Sequence, residues 1–140
     1  MSGKNTTASC LCGSVTILAE PLNNHVGACH CETCRKWGSG PFLAVDCGTD
    51  VTLKGGDNIA IYNSSEWAER GFCRKCGTHL FYRLKQTGQY IMPAGLFEDS
   101  EFELDHQIFI DKKPAWYDFA NETENMTGAE VFEKFAPPPE

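Results

Sequence analysis

The sequence predicts a mainly β domain with few short helices, and three observations support this fold class. The chain has 140 residues, which is enough for one domain with a continuous core. Short runs of β-branched and apolar residues alternate with turn residues along most of it. A strong helix start signal is found only late, at Thr127–Glu130. We therefore expect a single domain over residues 1–140.

The predicted strands are short, and each stops at a glycine, a proline or a polar turn. The run before Lys85–Gly88 and the run after it predict a hairpin around that turn. In order, the predicted strands are 14–20, 41–47, two short runs within 50–65 on either side of Gly55 and Gly56, 78–84, 89–95 and 105–111.

Two helical segments are predicted. Thr127 and Glu130 have the spacing of a capping box and precede the amphipathic run Val131–Phe135, which the prolines at 137–139 should end. A short helical turn is expected over Glu32–Trp37.

Composition and charge exclude several classes of protein. The formal net charge is −7, with 41% hydrophobic and 22% charged residues, which is ordinary for a folded soluble chain and unfavourable for binding nucleic acid. No apolar run approaches the ~20 residues that a membrane span requires. The N-terminal residues lack the apolar region of a secretory signal, so we expect a cytoplasmic protein.

Eight cysteines are the most informative residues of the chain. In a reducing compartment, cysteines that are clustered in sequence are more typical of metal sites than of disulfides. Seven of them fall into three close groups, and Cys47 stands alone in an apolar run, where we expect a core residue. The groups are Cys10 with Cys12; Cys29, Cys31 and Cys34; and Cys73 with Cys76.

Two of these groups together supply the four thiolates of a closed zinc site. Cys10 and Cys12 can present both sulfurs to one side of an extended segment. Cys73 and Cys76 have the spacing of a zinc knuckle, followed by Gly77 where the turn must open. Such a site would connect the N-terminus to the middle of the chain and would contribute directly to folding.

The remaining group has three thiolates, which is the ligand number of many catalytic zinc sites. The sequence leaves two alternatives open. Either the fourth position is free for a substrate, or His30, His25 or Cys47 closes it as a second structural site.

Several cations lie close to the cysteine groups in sequence: Arg35, Lys36, Arg70, Arg74 and Lys75. They can attract a small anion, or they can be solvated surface charges.

Three segments, "CLCGSV", "CHCETCRKWGSG" and "FCRKCGTHLFY", occur in this order. Together they resemble the signature segments of the glutathione-dependent formaldehyde-activating enzyme family. Fainter similarity follows in "AGLFED" and "DHQIFIDKKPAW", so that the resemblance covers roughly residues 9–117 and leaves an acidic C-terminal part, 118–140. The ordered set of three motifs is specific, whereas any one of them would be weak.

The resemblance implies a fold of small stacked β-sheets with bound zinc, similar to methionine sulfoxide reductase B domains. It implies two zinc ions per chain, a structural one at Cys10, Cys12, Cys73 and Cys76 and a catalytic one at Cys29, Cys31 and Cys34. The implied activity is that of a carbon–sulfur lyase that joins formaldehyde to glutathione, giving S-hydroxymethylglutathione, or reverses this reaction.

With a small-molecule substrate of this kind, Arg35 and Lys36 are the first candidates to bind the carboxylates of glutathione, and Arg70 is a further candidate. Two other functions remain open from the sequence. One is a lyase for a different thiol adduct, and the other is a zinc-stabilised protein-interaction module without catalysis.

Overall fold

The computed structural model describes residues 6–97 and 101–135 and is mainly β, as predicted. Two α-helices and three single 3₁₀ turns (Gly56–Asn58, Ala94–Leu96 and Ile110–Lys112) interrupt the strands within these ranges. The elements are β1 (Thr6–Ser9), β2 (Thr16–Ala19), β3 (His25–Cys29), α1 (Glu32–Gly38), β4 (Phe42–Gly48), β5 (Thr52–Lys54), β6 (Ile59–Tyr62), β7 (Ala68–Cys73), β8 (His79–Leu84), β9 (Tyr90–Pro93), β10 (Glu103–Ile108), β11 (Glu124–Met126) and α2 (Gly128–Phe135).

The strands form a small sheet and a large one. The small sheet is antiparallel, with the order β1-β2-β5. The large sheet has the order β11-β10-β3-β4-β9-β8-β7-β6. Its pairs are antiparallel except where β10 runs parallel to both β3 and β11. As a result, β3, which ends at Cys29, lies in the interior of the large sheet, and the other two cysteines of the middle group follow it in the turn and in α1.

The two sheets share one hydrophobic core. Ile17 of the small sheet and Val15, just before β2, belong to one buried cluster. The same cluster contains Val45, Leu80 and Met92 of the large sheet. Alternate residues of β2 are buried, as expected for a strand with one face on the core. This shared core packs the sheets against each other, in agreement with the predicted stacked-sheet fold.

Local sequence patterns predicted the positions of several elements correctly. Helix α1 forms where the helical turn was predicted. The capping box is present, since the backbone N–H of Glu130 donates to Thr127 Oγ1 at 3.2 Å and that of Thr127 to Glu130 Oε1 at 2.7 Å. The β8–β9 hairpin also forms around the predicted turn. The prolines at 137–139, expected to end α2, lie outside the described residues.

Other strand boundaries differ from the prediction. The strand expected over 105–111 occupies Glu103–Ile108 and ends where Phe109 adopts a left-handed conformation with φ of 54°. β1, β3, β7 and β11 were not predicted. β3 pairs with β10, which is distant in sequence, whereas β1 and β7 pair with neighbouring strands, and their polar and glycine residues hide the strand pattern. No helix in the described part of the chain is long and apolar enough to cross a lipid bilayer.

Candidate functional site

Four cysteine sulfurs converge where the small sheet meets the end of β7. The sulfurs of Cys10, Cys12, Cys73 and Cys76 all lie within 4.8 Å of one another. The Sγ–Sγ distances are 3.7 Å for Cys10–Cys12 and 3.8 Å for Cys12–Cys73. Four sulfurs placed tetrahedrally at about 2.3 Å from a zinc ion would be about 3.8 Å apart. This cluster can therefore hold a metal ion with little rearrangement.

Tight turns aim these sulfurs at one point. Gly13 and Gly77 follow the two cysteine pairs with φ of 82° and 79°, which favours glycine. Their N–H groups donate back to the carbonyls of Cys10 and Cys73, at 3.1 and 2.8 Å. Each cysteine pair and the glycine that follows it therefore form one tight turn, which orients the two sulfurs.

Thr78 connects the two halves of the four-sulfur cluster. Its Oγ1 accepts a hydrogen bond from the N–H of Leu11 at 3.1 Å and lies 3.1 Å from the sulfur of Cys76. The hydrogen bond with the Thr78 side chain is the main cause that lowers the pKa of the Cys76 thiol, to about 5. A thiol of this kind is ionised at neutral pH and is ready to bind a cation.

The second cluster lies at the junction of β3 and α1. Cys29 is the last residue of β3, Cys31 is the N-cap of α1 and Cys34 lies in its first turn. The three sulfurs all lie within 4.8 Å of one another. The N–H of Cys34 donates to Cys31 Sγ at 3.4 Å, so the sulfur takes the place of the usual capping oxygen.

Proton sharing within the second cluster concentrates negative charge on one sulfur. Hydrogen bonds from Cys29 and Cys34 hold the pKa of Cys31 well below its ordinary value, at about 2. The same interaction with Cys31 raises the pKa of Cys29, which keeps its proton. The cluster thus resembles a cation site in its charge and donor set, and it can hold a metal ion.

A buried arginine accompanies this cluster. Arg70 is only 3% exposed, and its Nη2 donates to Cys34 Sγ at 3.5 Å. Its Cζ lies 5.0 Å from the ring centroid of Tyr82 and 5.9 Å from that of Trp37. Its Nε has no hydrogen-bond partner, and no carboxylate of the described residues forms an ion pair with it. Since an unpaired buried guanidinium is costly, the negative charge of the cluster, which is concentrated on Cys31, is its counter-charge.

None of the three candidate fourth ligands joins the second cluster. His30 is fully buried and uses both ring nitrogens, with Nε2 2.7 Å from Gln107 Oε1 and Nδ1 2.8 Å from Tyr117 Oη. His25 contacts Asp105 instead. Cys47 is buried in the core, where burial raises the pKa of its thiol to about 12. Within the described ranges, no fourth Cys, His, Asp or Glu completes this group.

Of the three cations expected to bind carboxylates, Arg35 and Lys36 lie in the last turn of α1, whereas Arg70 is buried and does not face solvent. Arg35 Nε donates to the carbonyl of His30 at 3.0 Å, which holds the Arg35 side chain near the segment that carries the three cysteines. Lys36 is exposed. Of the other cations near the cysteine groups, Arg74 is exposed and donates to the carbonyls of Asp57 and Ile59.

An open cleft of about 460 Å³ adjoins both clusters. Cys34 contributes to its wall on the side of α1, and Gly77 and Thr78 contribute on the side of the four-sulfur cluster. Trp37 stacks on His79 with ring centroids 4.4 Å apart, and both residues also line the cleft. The middle cysteine group is therefore next to a space that can receive a small molecule.

Sequence reasoning missed three features of this site: the burial of Arg70, the anchoring of His30 by Gln107 and Tyr117, and the role of Thr78. One signal for the first was available. Arg70 alternates with Ala68 and Phe72, so in an extended segment it lies on the same face as these two apolar residues. The anchoring of His30 has no local signal, since its two partners lie 77 and 87 residues away.

The chain is similar in sequence and in fold to known proteins. The model of the glutathione-dependent formaldehyde-activating enzyme family matches residues 5–112. An uncharacterized lyase of Schizosaccharomyces pombe is 40% identical over 125 residues, covering 88% of this chain and 91% of that protein. A Podospora anserina protein, provisionally named as a glutathione-dependent formaldehyde-activating enzyme, is 33% identical over 87 residues, covering 57% of this chain and 40% of that protein.

A solved structure is also similar. The crystal structure of a Rhodobacter sphaeroides protein matches with a TM-score of 0.58 and 26% sequence identity, covering 66% of this chain and 87% of that one. The family match spans all seven clustered cysteines. The chain therefore belongs to the glutathione-dependent formaldehyde-activating enzyme family, and it is a lyase by that membership.

Proposed function

We propose that this protein is a zinc-dependent carbon–sulfur lyase that interconverts S-hydroxymethylglutathione with glutathione and formaldehyde. The observation that carries the proposal is the group of three converging sulfurs, next to an open cleft and without a fourth ligand among the described residues. A site with three protein ligands is typical of catalysis rather than of structure. In the synthetic direction the thiol sulfur bonds to the carbonyl carbon, and the carbonyl oxygen ends with the proton that leaves the thiol.

Two zinc ions per chain fit the donor sets. Cys10, Cys12, Cys73 and Cys76 would hold the structural ion, and their sulfur spacing supports that assignment. Cys29, Cys31 and Cys34 would hold the catalytic ion. When bound there, zinc supplies positive charge that keeps thiol sulfurs ionised at neutral pH.

The residues around the second cluster have separate tasks in this proposal. Arg70 balances the negative charge of the sulfurs and holds Cys34 in place. His30 fixes the backbone between Cys29 and Cys31 through its hydrogen bonds with Gln107 and Tyr117. Arg35 and Lys36, at the end of α1, bind the carboxylates of glutathione.

The experiment that tests the proposal measures exchange between glutathione, formaldehyde and their adduct by NMR magnetisation transfer. We expect the wild-type protein to accelerate exchange and Cys31→Ser to lose the acceleration. Serine is a good N-cap, so this substitution keeps the start of α1 while it removes the thiolate. Cys47→Ala is the matched control, because that cysteine lies in the core outside both clusters.

If the wild-type protein binds two zinc ions but leaves the exchange rate unchanged, this reaction is wrong, and a lyase for another thiol adduct or an interaction module takes its place. The carboxylate assignment is tested separately with Arg35→Ala and Lys36→Ala. Unchanged glutathione affinity in both variants would contradict it.

A further inference from the structure

The wall of the cleft beside Cys34 is mainly apolar. Helix α1, the start of β4, the end of β9 and the turn after it all contribute to the wall. The apolar side chains are those of Trp37, Pro41, Phe42, Leu43, Pro93 and Leu96. Leu43 remains partly exposed, at 41%. The region next to the three-sulfur cluster therefore offers hydrophobic contact to whatever binds there.

The size of the cleft exceeds what a one-carbon substrate uses. The volume of the cleft is about 460 Å³. It falls within the range of sites that bind drug-sized ligands. A formaldehyde carbon together with the adjoining sulfur would leave most of this space to water.

The described wall of the cleft has no charged side chain that could bind the peptide part of glutathione. Among the described residues of its wall there is no Lys, Arg, Asp or Glu. The polar side chains are those of Cys34, Thr78 and His79, and burial is the main cause that lowers the pKa of His79, so its imidazole is neutral at pH 7. Two carboxylates and an ammonium group placed here would lose water without gaining a partner.

We propose that this cleft binds an apolar substituent on the aldehyde carbon, so that the substrates include thiol adducts of aldehydes larger than formaldehyde. The inference rests on the proposed function and extends its substrate class. In this arrangement the apolar substituent lies in the cleft, and the charged peptide part of the substrate lies outside it, on the side of Arg35 and Lys36.

The chemistry is the same for any such aldehyde, R–CHO. In the lyase direction the C–S bond breaks, and its electron pair stays on sulfur. The hydroxyl group of the adduct becomes the carbonyl of the aldehyde, and the proton it loses ends on the released thiol. The group R takes no part in the bond changes, so its contacts with the cleft act on binding and selectivity.

The test uses two unreactive thioethers as probes. S-methylglutathione carries one carbon on its sulfur, as the formaldehyde adduct does, but lacks the hydroxyl group, and S-hexylglutathione carries an apolar chain on the same sulfur. Each buried methylene strengthens binding by about fourfold. In calorimetric titrations of the zinc-loaded protein, we expect the hexyl probe to bind at least about tenfold more tightly than the methyl probe.

Two glycines in the wall allow the cleft to be filled without disturbing the core. A Cβ added at Gly38 or Gly95 meets no atom within 4 Å, and neither residue has a positive φ. We expect Gly38→Leu, and independently Gly95→Leu, to reduce the preference for the hexyl probe to within about twofold. Gly56→Leu is the matched control, because Gly56 is equally unobstructed but lies outside the wall, and it should retain the preference.

Three outcomes would overturn the inference. They are equal affinity for the two probes in the wild-type protein, an unchanged preference in both filled variants, and an equal loss of affinity for both probes in Gly38→Leu. The last result would place the peptide part of glutathione in the cleft. The formaldehyde exchange assay reports separately on the proposed function, so accelerated exchange without a hexyl preference contradicts only the inference.

Discussion

Arg70 shows how one side chain can connect the fold to the site. It lies on β7, in the large sheet, yet its guanidinium ends at the sulfur of Cys34 on α1. A buried positive charge of this kind is tolerated only where a negative charge compensates it. The stability of the large sheet therefore depends on the negative charge of the three-sulfur cluster, because without that charge Arg70 would be buried and uncompensated.

We predict that Arg70→Met weakens zinc binding at Cys29, Cys31 and Cys34 by about 10- to 100-fold, as is typical when a partner of a metal ligand is removed. Zinc retained per chain after competition with a chelator measures this, and the four-sulfur cluster serves as the internal reference. Arg74→Met is the control, since Arg74 is an exposed arginine that donates to two backbone carbonyls. Equal zinc retention in the two variants would contradict a role for Arg70.

At the scale of elements, the parallel pair β3–β10 carries a carboxylate shared by two histidines. Asp105 Oδ1 lies 2.8 Å from His106 Nδ1, and its Oδ2 contacts His25 Nδ1. The register of the pair shifts between Leu104 and His106, and His106 packs over Gly27, where a Cβ would clash with its ring. The bulge thus places Asp105 between the two imidazoles.

This arrangement predicts a stability change in acid. The hydrogen bond with His106 is the main cause that lowers the pKa of Asp105 below its ordinary value of 3.8. The folded chain therefore binds this proton less tightly than the unfolded chain does. The stability that Asp105 contributes is present above about pH 4 and is lost as the pH falls through the lowered folded value.

Urea denaturation of the wild-type protein and of Asp105→Asn, measured from pH 6 to pH 3, isolates this contribution. We expect the difference in free energy of unfolding between the two proteins to shrink as the pH falls below about 4. Acid effects on the cysteine clusters are common to both proteins and cancel in the difference. A difference that is independent of pH would show that the carboxylate does not stabilise the pair.

Helix α2 offers a second test at this scale. Its first turn is closed by the reciprocal hydrogen bonds of Thr127 and Glu130. We predict that Thr127→Ala lowers the free energy of unfolding by about 1 kcal/mol, whereas Thr127→Ser, which keeps the hydroxyl, changes it much less. Thermal denaturation measures both. Equal losses in the two variants would assign the effect to the methyl group and not to the cap.

At the scale of the whole molecule, the two clusters should differ in what they do for the fold. Cys12 and Cys73 are 61 residues apart, so a metal bound there closes a long loop between the two sheets. Cys29, Cys31 and Cys34 lie within one short segment, and a metal there closes almost none. Loop-closure entropy therefore favours the four-sulfur cluster as the one that stabilises the fold.

We predict that Cys12→Ser lowers the free energy of unfolding of the zinc-loaded protein by about 2 kcal/mol more than Cys31→Ser does. Cys12 is exposed, so serine creates no buried hydroxyl there. Urea denaturation at a fixed zinc concentration gives both values. A larger loss in Cys31→Ser would reverse the assignment of structural and catalytic clusters.

Much of this protein follows from short-range sequence patterns. The groups Cys10–Cys12 and Cys73–Cys76 carry their own turn glycines, the capping box of α2 is complete within four residues, and the β8–β9 hairpin closes around a local turn. In each case the interacting residues are neighbours in sequence, so that spacing alone specifies the geometry. The mainly β class and the family both rest on patterns of this kind.

Only the tertiary structure decides the surroundings of the second cluster. Arg70 contacts Cys34, which is 36 positions away in sequence, and His30 contacts Gln107, which is 77 positions away. The cleft has walls from α1, β4, the end of β9 and the loop after Cys76. The sequence by itself determined which residues can bind metal, because chelation by close cysteines is local. The charge balance of the site and the apolar cleft depend on strands that pair over long distances, and only folding brings those strands together.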